Sequence, residues 1–571
     1  METFSFEEEN PMLHAQAQPQ PQSQEPIPQQ PEMRPVQEVL LTENVTEILP
    51  ADTDAPAIRS DDLAQMREIC DMPELNADMQ TEVPKQQVPE LMPEEAPTAT
   101  DLSGVMTSPM PPFSPDFVSK QPQSFQSYRV YRFLDEFRKT HCPGSGEPHA
   151  LYEQWTVSEA GKTYLVRRYI QTTGAFFANF RELYENEMLK RLLFEVLWPI
   201  EISEWDENGD FWCLLPAPDP DFVPLSTCIF PKQKKISAKY TTDLCISFVT
   251  FLCKCQNEKV QKFLKYFNPE EIFLDVTKGR VYFTGFDQII DQRITQEAAQ
   301  EIILHNQQQA RTFLLERFMP PDFLEQEILP KLEDLNYYAA LFSCLLLLRC
   351  HPYEGLRWAK IGYLLPKDAM ALYGTDRRFL FDQTDTSNGP VPDLHDVPTY
   401  LWRMLPQRVQ MLFTNSFSRV GASAPDTIAW LKGLIDLRCV TYFCPCGNVV
   451  INSENRGKLQ CNLCKSEVSL PLQITFSDTS VYRLSSQMLL YYGQFDPTCA
   501  DFRYAMPVCR IRTQKSTGAF GVESLVQNAK NGWTVWVKDD RGEEKMLETG
   551  QPCPIRKGFR VYVNQYEAFI N

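Results

Sequence analysis

The stretch KYFNPEEIFLDVTKGRVYFTGFDQII covers residues 265–290 and decides how the rest of the chain is interpreted. It contains two short runs, EIFLDV and RVYFTGF, that have the composition of β-strands. Lys278 and Gly279 separate them, and glycine permits the tight turn that would join two neighbouring strands. The pattern therefore predicts a β-hairpin.

The segments on the two sides of this hairpin differ in character. Before it, the strand-like runs HALYEQWTV, KTYLVRRYI and FWCLLPA surround one amphipathic helix, FFANFRELYENEMLKRLLF. After the turn-rich Pro216–Pro224 the chain becomes helical, with segments at 240–267, Tyr337–Leu348 and TIAWLKGLIDL. This order predicts an α+β fold in which a small β-rich lobe with one helix is followed by a linker and a helical lobe.

The charge of the chain is unevenly distributed. The 571 residues carry a formal charge of -20, and residues 1–126 contain 23 Asp or Glu against 5 Lys or Arg. This leading part is rich in Pro, Gln and Glu, cannot bury a core, and is predicted to be a disordered leader. Residues 127–571 are nearly neutral, with 52 acidic against 50 basic residues. They have no basic excess for phosphate backbones, so we expect no nucleic acid partner.

Cysteine usage and hydropathy indicate where the protein acts. The 17 cysteines are irregularly spaced, and no positively charged start followed by an apolar run precedes them. This favours buried free thiols in a reducing cytoplasm. Cys245, Cys253 and Cys255 lie on one apolar helix and are predicted to be core residues. Tyr337–Leu348 is too short for a bilayer, so it predicts a buried helix and no membrane insertion.

Three motifs resemble those of protein kinases and occur in the kinase order. GSGEPHALY resembles the glycine-rich loop that covers ATP phosphates, with Gly144 and Gly146 at its first two glycines and His149 at its third. YLVRRY resembles the strand that carries the ATP-positioning lysine, with Arg167 in the place of that lysine. The opening stretch resembles the catalytic loop followed by the D-F-G segment.

The resemblance places a changed residue at each position that carries phosphoryl transfer. Tyr266 stands for the catalytic aspartate, Glu271 for the metal-binding asparagine and Gly285 for the metal-binding aspartate. Tyr266 is neutral at pH 7 and too bulky to replace a carboxylate that orients the substrate hydroxyl. Gly285 brings no ligand for magnesium. These substitutions disfavour magnesium binding and catalysis.

The residues that would hold the nucleotide have changed as well. Arg167 keeps the positive charge of the lysine without its compact shape. The resemblance offers Glu185 or Glu187, on the predicted helix, as its partner. His149 adds a side chain where the glycine-rich loop needs backbone close to phosphate. ATP binding is therefore disfavoured too, and only a degenerate nucleotide pocket around Gly144, Gly146 and Arg167 is expected.

A cysteine cluster follows the last predicted helix. FCPCGNVVINSENRGKLQCNLC contains Cys444-x-Cys446 and Cys461-x-x-Cys464, two pairs separated by a hairpin-length segment. Four thiolates that converge from two turns form the tetrahedral site that zinc prefers. We predict a structural zinc ribbon. Because the first pair is one residue closer than the commoner spacing, Cys439 remains a reserve ligand.

The chain after Leu470 alternates apolar and polar residues around turns and predicts a compact all-β module. Its run GQPCPIRKGFRVYV resembles the last strands of a forkhead-associated domain, without an arginine and serine pair suited to a phosphothreonine. HPYEG, YGTDRRFLFDQTDTSNGPVPDLH and the cysteine ribbon resemble one bacterial family of kinase-like proteins. Members of that family are usually encoded near metal-dependent phosphatases and von Willebrand A-type proteins, which the resemblance implies as partners.

The sequence thus predicts five segments. They are a disordered leader (1–126), a kinase-like N-lobe (127–223), a helical C-lobe (224–437), a zinc ribbon (438–469) and a β-sandwich-like module (470–571). The overall fold class is α+β with a two-lobed, protein-kinase-like core.

Three functional hypotheses follow from these segments. The first is a cytoplasmic bacterial pseudokinase that serves as a signalling scaffold or allosteric regulator through protein–protein contacts. The second is an active atypical serine/threonine kinase that binds ATP through Arg167 and uses Glu271, Asp275 or Asp287 as metal ligands. The third, a zinc-stabilised adaptor without kinase ancestry, would lack the two-lobed shape.

Overall fold

The structure is a computed structural model, and the residues it describes begin at Leu134. They are residues 134–142, 144–149, 152–229, 236–257, 260–264, 267–291, 315–326, 331–418, 424–514, 517–526 and 533–571. The predicted disordered leader, 1–126, lies outside the described residues. Tyr266, which stands for the catalytic aspartate in the kinase resemblance, lies outside them as well.

The first lobe is a five-stranded antiparallel sheet with helices on both faces. Its helices are Leu134–His141 (α1), Gly174–Glu185 (α2) and Glu187–Leu192 (α3). Its strands are Glu147–Pro148 (β1), Tyr152–Glu159 (β2), Lys162–Tyr169 (β3), Glu201–Ile202 (β4) and Phe211–Pro216 (β5), in the order β1-β2-β3-β5-β4. The three long strands, β2, β3 and β5, are the three that the sequence predicts.

The predicted single helix of this lobe is interrupted at Asn186. This residue ends α2 and caps α3, because its side-chain oxygen accepts a hydrogen bond from the Leu189 N–H at 2.9 Å. The apolar stripe of α2, which includes Phe176, Phe180 and Leu183, packs on the sheet. Helix α2 therefore ends at Asn186, and its apolar stripe remains packed on the sheet.

Helix α1 covers the opposite face of the sheet. Leu134 and Phe137 are buried against Val166 and Leu214 of β3 and β5. The Leu134 N–H donates to Glu201 at 3.1 Å, which anchors the start of the helix on the edge strand. Both faces of the central strands are therefore covered by helices.

The second lobe is mainly helical and also carries the hairpin of the opening stretch. Its helices are Ala238–Gln256 (α4), Pro321–Gln326 (α5), Asp334–Ser343 (α6), Leu356–Ala359 (α7), Pro366–Met370 (α8), Asp396–Met404 (α9), Gln407–Phe417 (α10) and Thr427–Val440 (α11). Its strands are Val223–Pro224 (β6), Lys262–Leu264 (β7), Ile272–Asp275 (β8), Arg280–Phe283 (β9) and Ile289–Asp291 (β10).

The hairpin and the core helix agree with the sequence. Strands β8 and β9 pair antiparallel, and Gly279 has a φ of 65°, the left-handed conformation that the tight turn needs. Helix α6 continues in wider turns to Leu348 and is almost entirely buried. Cys245, Cys253 and Cys255 of α4 are core residues, as predicted. Within the described part of the chain, no helix is long and apolar enough to cross a membrane.

The C-terminal part consists of two small hairpins and a β-sandwich. The hairpins are formed by Thr441–Phe443 (β11), Val449–Ile451 (β12), Lys458–Gln460 (β13) and Glu467–Ser469 (β14). The sandwich strands are Gln473–Phe476 (β15), Val481–Arg483 (β16), Leu489–Tyr491 (β17), Pro507–Thr513 (β18), Phe520–Ser524 (β19), Val535–Lys538 (β20), Glu544–Met546 (β21), Cys553–Pro554 (β22), Arg560–Val563 (β23) and Tyr566–Ile570 (β24), with the short helix Tyr492–Phe495 (α12) between β17 and β18.

The sandwich has a six-stranded sheet, β16-β15-β24-β23-β20-β21, and a four-stranded sheet, β17-β18-β19-β22. Alternate residues of both sheets are buried in one common core, which confirms the predicted β-sandwich. The sandwich also contacts the helical lobe. Tyr482 donates to Asp436 of α11 at 2.6 Å, and Gln494 donates to the Cys439 sulfur at 3.3 Å.

Candidate functional site

The candidate site lies between the two lobes and is centred on Arg167. This residue is near the end of β3, paired with Gln154 of β2 and Cys213 of β5, in the middle of the sheet. Its side chain is only 1% exposed. A fully buried guanidinium requires charged and polar partners, because an unpaired buried charge is very costly.

The partners of Arg167 come from both lobes. Its Nη1 lies 3.1 Å from Glu271 Oε1 and 3.7 Å from Asp287 Oδ1, and it donates to the Thr284 carbonyl at 2.8 Å. Its Nε donates to Gln154 Oε1 at 3.0 Å. Strand β3 of the first lobe is thereby joined to the hairpin segment of the second.

The predicted partners of Arg167, Glu185 and Glu187, are wrong. Glu185 pairs with Arg181 at 2.9 Å, and Glu187 pairs with Lys190 at 2.9 Å, all on the surface. The physical reason is the apolar stripe of α2, which faces the sheet and leaves the end of the helix and the start of α3 turned to solvent. The buried cation takes its carboxylates from the other lobe instead.

Glu271 is surrounded by hydrogen-bond donors. Its Oε1 accepts from the Tyr152 hydroxyl at 2.5 Å, and its Oε2 accepts from Asn268 Nδ2 at 3.1 Å and from Gln288 Nε2. Burial and then the nearby charge of Asp287 raise the pKa of Glu271, against the opposing effect of Arg167. Both of its oxygens are used within the protein.

Asp287 makes fewer hydrogen bonds than Arg167 and Glu271. Its Oδ1 accepts from the Tyr169 hydroxyl at 3.1 Å, while its Oδ2 is buried with no hydrogen-bond partner among the described residues. Burial raises the pKa of both Tyr152 and Tyr169 well above the ordinary value, so both phenols are neutral donors. Asp275, the third carboxylate of the stretch, accepts from Thr277 N and Lys278 N and serves the hairpin turn.

The space beside Gly285 is already filled. A Cβ built on this glycine would lie 2.7 Å from Glu271 Oε2 and closer still to the amide of Gln288. An adjacent cavity of about 10 Å³ is lined by Glu271, Gly285, Gln288 and apolar side chains of the second lobe. Such a volume holds about one water molecule. Gln288 thus occupies the room that a side chain at position 285 would need.

The turn between β1 and β2 differs from the predicted glycine-rich loop. Gly144 and Gly146 precede β1, whereas the hairpin turn is closed by the His149 N–H, which donates to the Tyr152 carbonyl at 2.8 Å. The physical reason is the strand register, in which Pro148 pairs with Glu153 and fixes the turn at His149 to Tyr152. The two glycines therefore lie before β1 and outside this hairpin turn.

The same turn reaches the second lobe. The His149 ring stacks on the Tyr152 ring at 4.9 Å, and its Nδ1 lies 3.8 Å from Glu270 Oε2. Tyr152 itself contacts Arg167, whose guanidinium carbon lies 4.1 Å from the centre of the Tyr152 ring. His149 thus contacts Tyr152 of the interlobe network and lies close to Glu270 of the second lobe.

The sequence predicted Arg167, Glu271, Gly285 and Asp287 as positions of the site, but it did not predict the side chains that connect them. The missed members are polar or phenolic residues of the two lobes, namely Tyr152, Gln154, Tyr169, Asn268 and Gln288. The strand pattern could have predicted two of them. Tyr169 is on the same face of β3 as Arg167, and Gln154 is the cross-strand neighbour of Arg167. For Asn268 and Gln288 the local pattern contains no such signal.

A second site is formed by the four cysteines of the two small hairpins. The sulfurs of Cys444, Cys446, Cys461 and Cys464 all lie within 4.8 Å of one another. Cys444 is 3.5 Å from Cys464, and Cys446 is 3.6 Å from Cys461. Each pair of the sequence lies in the turn of one hairpin, so four thiols converge from two turns as predicted.

The turns are shaped for this convergence. Gly447 follows the first pair with a φ of 86°, and Lys465 follows the second with a φ of 61°, so both turns pass through the left-handed region at the same point. The Cys464 N–H and the Asn448 amide lower the pKa of Cys461 to about 6. Cys439, the reserve ligand, is not part of the group and contacts Gln494 instead.

Comparisons with known proteins give no family assignment. No protein-family model matches the chain, and no curated protein matches its sequence. The kinase domain of maize sucrose-induced receptor kinase 1, solved with AMP-PNP, is similar to it at 11% identity and a TM-score of 0.37, covering 53% of this chain and 96% of that one. The kinase PK-1 of the Cydia pomonella granulovirus is similar at 10% identity and a TM-score of 0.32, covering 54% of this chain and 97% of that one.

Proposed function

We propose that this protein is a pseudokinase, a protein-kinase-like fold that acts by binding other proteins and does not transfer phosphate. The observation that carries the proposal is the state of Arg167. Its guanidinium is buried, its Nη1 contacts Glu271, Asp287 and the Thr284 carbonyl, and its Nε donates to Gln154. A cation that is balanced by two carboxylates has little remaining attraction for nucleotide phosphates.

The remaining requirements of phosphoryl transfer support the same proposal. The reaction needs metal ions that bridge the phosphates and a group that orients the substrate hydroxyl. Gly285 offers no ligand, and Glu271 directs its oxygens at Tyr152, Asn268 and Gln288. The His149 ring stacks on Tyr152 of the network and lies close to Glu270 of the second lobe. Nucleotide entry would require several internal contacts to break together.

The second candidate function is an active atypical kinase with rerouted metal ligands. One observation favours it, which is the buried Asp287 Oδ2 that lacks a hydrogen-bond partner among the described residues. Carboxylate oxygens are preferred magnesium ligands. A single free oxygen, however, supplies one ligand of the near-octahedral shell, so the pseudokinase remains the better supported function.

We also propose that Cys444, Cys446, Cys461 and Cys464 hold a structural zinc ion. Four sulfurs bound tetrahedrally at about 2.3 Å from zinc are about 3.8 Å apart, close to the 3.5 and 3.6 Å of the two shortest pairs. Bound zinc would hold the two hairpins together between the helical lobe and the sandwich. With four thiolates no position is left open for water, so the role would be structural rather than catalytic.

The partners of such a scaffold are proposed from the sequence resemblance. They are cytoplasmic bacterial signalling proteins, among which metal-dependent phosphatases and von Willebrand A-type proteins are the first to test. The predicted leader, the helical lobe and the β-sandwich each offer separate surfaces, which suits a protein that brings several others together.

A nucleotide titration tests the proposed function. The melting temperature of the full chain is measured with ATP from micromolar to millimolar, with and without magnesium or manganese, because a ligand that binds only the folded state raises it. We expect no rise. A metal-dependent rise that is lost in Arg167→Met but kept in Arg168→Gln, the half-exposed neighbour on the same strand, would support the active kinase and reject the pseudokinase.

A further inference from the structure

Helix α9 packs on the helical lobe with one face and exposes the opposite face. Pro398 and Trp402 are buried, and the Trp402 ring stacks on the Phe381 ring with the ring centres 4.9 Å apart. Gln410 of α10 donates to the Trp402 carbonyl at 2.8 Å. The inner face thus holds the helix in a fixed position, and the outer face is a preformed surface.

The outer face of α9 carries charged and apolar side chains in a regular order. Val397 and Tyr400 are 53% and 54% exposed. Asp396, at the start of the helix, and Arg403, in its last turn, are also exposed. Spacings of three, four and seven residues place these four side chains on one side of a helix. Along the helix the face is therefore acidic, then apolar, then basic.

A turn of the cysteine cluster extends this surface. Asn462, in the turn at residues 461–464 (the second cysteine turn), donates to the Tyr400 hydroxyl at 3.3 Å. The next residue, Leu463, is 69% exposed. Val397, Tyr400 and Leu463 thus form a patch from two separate elements. Single exposed apolar side chains are ordinary, whereas a group of neighbouring ones indicates an interaction surface.

The order of the charges selects the kind of partner. A helix face with an acid at one end and a base at the other is complementary to its own antiparallel copy, whereas a partner of uniform charge would meet one like charge. Asp396 and Arg403 have no ion partner among the described residues. Both ends of the face are therefore available for a contact between two copies of the chain.

We propose that this surface binds the same surface of a second copy, so that the protein forms a two-fold symmetric dimer. A two-fold interface joins one patch to itself. The axis passes near Tyr400, close to the midpoint between Asp396 and Arg403, which are about 10.5 Å apart along the helix. Asp396 then faces Arg403 of the partner subunit, and Arg403 faces Asp396 of the partner subunit. The apolar patches of both copies are buried between these two ion pairs.

The size of the surface predicts a weak dimer. Stable interfaces bury about 800 Å² on each partner, and a patch of three apolar side chains with two charges is smaller than that. We expect a dissociation constant in the micromolar range. The inference goes beyond the proposed function and does not depend on whether nucleotide binds. For a scaffold its consequence is avidity, because a dimer presents each surface twice.

Sedimentation velocity of the full chain from low to high micromolar concentration tests the proposal. We expect a reversible monomer–dimer equilibrium that Tyr400→Asp and Leu463→Asp each weaken by about tenfold or more, because each places a charge in the centre of the interface. Tyr363→Asp is the matched control, since Tyr363 is 81% exposed and belongs to the segment between α7 and α8. A wild type that stays monomeric, or a dimer that both patch variants keep, would overturn the proposal.

Exchanging the two charges tests the antiparallel geometry. Asp396→Arg and Arg403→Asp each bring like charges together in their own dimer, so each variant alone should associate about tenfold more weakly. In a mixture of the two variants, each new charge faces its opposite in the other chain. With donor and acceptor dyes on the two variants, the mixture should approach the association of the wild type. A mixture no tighter than either variant alone would contradict the proposed pairing.

A measurement without substitutions decides the matter if the variants fail to fold. Hydrogen–deuterium exchange of the wild type is compared at a concentration where it is monomeric and at one where it is dimeric. Amides at 396–403 and 461–464 should exchange more slowly in the dimer. Protection that is confined to other parts of the chain would assign the association to another surface and overturn the proposal.

Discussion

The interlobe network and the cysteine cluster are both dense groups of chemically useful side chains, and they differ in where their polar atoms are directed. In the network, the Arg167 donors and the Glu271 acceptors are directed at one another. In the cluster, the sulfurs of Cys444, Cys446, Cys461 and Cys464 all lie within 4.8 Å of one another. Apart from Asp287 Oδ2, the polar atoms named in the network pair with one another, whereas the four sulfurs of the cluster face a common point.

This difference separates two uses of closely grouped polar side chains. A group that has paired internally contributes stability and joins structural parts, as Arg167 joins the two lobes. A group of four soft ligands that face a common point is suited to a soft metal ion. The direction of the polar atoms distinguishes the two cases, and the following experiments test it at both sites.

The largest expected effect is loss of the metal at the cluster. Structural zinc in small cysteine-rich motifs contributes an apparent binding free energy of about 10–16 kcal/mol at neutral pH. We expect Cys461→Ser to abolish zinc binding and to expose the amides of residues 441–469 to hydrogen exchange, since the two hairpins bury little else.

Zinc content of the purified full chain and hydrogen–deuterium exchange check this prediction. Cys439→Ser is the matched control, because this buried thiol contacts Gln494 outside the cluster and its loss should leave one zinc per chain. If the cysteine-cluster variant keeps its zinc, the four thiols are not the ligands, and the contrast with the interlobe network disappears.

The second largest effect is expected at the interlobe network, as a loss of stability. Arg167→Met removes the only cation that contacts Glu271 and Asp287 among the described residues. Breaking a buried ion pair by removing one partner costs about 3–5 kcal/mol, because the other charge remains buried. We expect the free energy of unfolding, measured in urea, to fall by this amount, so that the unfolding transition occurs at a lower urea concentration.

The control for this prediction lies on the same strand. Arg168 is half-exposed and pairs with the buried Asp210 at 2.6 Å, and Asp210 also accepts from the Gln171 N–H, so Arg168→Gln should cost less than Arg167→Met. Equal losses in the two variants would mean that the network does not contribute more stability than an ion pair within the first lobe.

The fold of the network region was largely predictable, and its contacts were not. The strands β2, β3 and β5 and the hairpin β8–β9 follow from local alternation and turn residues, which depend only on neighbours in sequence. Helix α1 was missed because its eight residues contain only two large apolar side chains, Leu134 and Phe137, both of which are buried only through contacts with the distant strands β3 and β5.

The prediction that Glu185 or Glu187 pairs with Arg167 failed for a different reason. Phe176, Phe180 and Leu183 define the buried stripe of α2, and Glu185 lies off that stripe, so helical periodicity could have excluded it. Glu271, the true partner, is remote in sequence, and no local pattern connects it to Arg167. For the cysteine cluster, by contrast, spacing within each turn already specified which four thiols meet.

A smaller effect is expected at Gly285. A Cβ at this position would contact Glu271 Oε2 at 2.7 Å and the amide of Gln288. Overpacking of this kind costs about 1–3 kcal/mol, so Gly285→Ala should lower the stability of the lobe junction by that amount in urea unfolding. Gly362→Ala, where a Cβ meets no atom within 4 Å, is the control. A neutral Gly285→Ala would show that Gln288 moves aside and that the network retains space for a ligand.

The smallest effect concerns the contact between the cluster and the helical lobe. Asn462, in the second cysteine turn, donates to the exposed Tyr400 hydroxyl of α9 at 3.3 Å. An exposed hydrogen bond contributes about 1 kcal/mol or less, so Tyr400→Phe should change unfolding in urea by no more than this and leave zinc content unchanged. Exchange of amides at 461–464 should rise slightly, because the turn loses this side-chain hydrogen bond to α9 while its metal ligands remain. Loss of zinc in this variant would mean that the lobe, and not the convergence of the four thiols, holds the cluster in place.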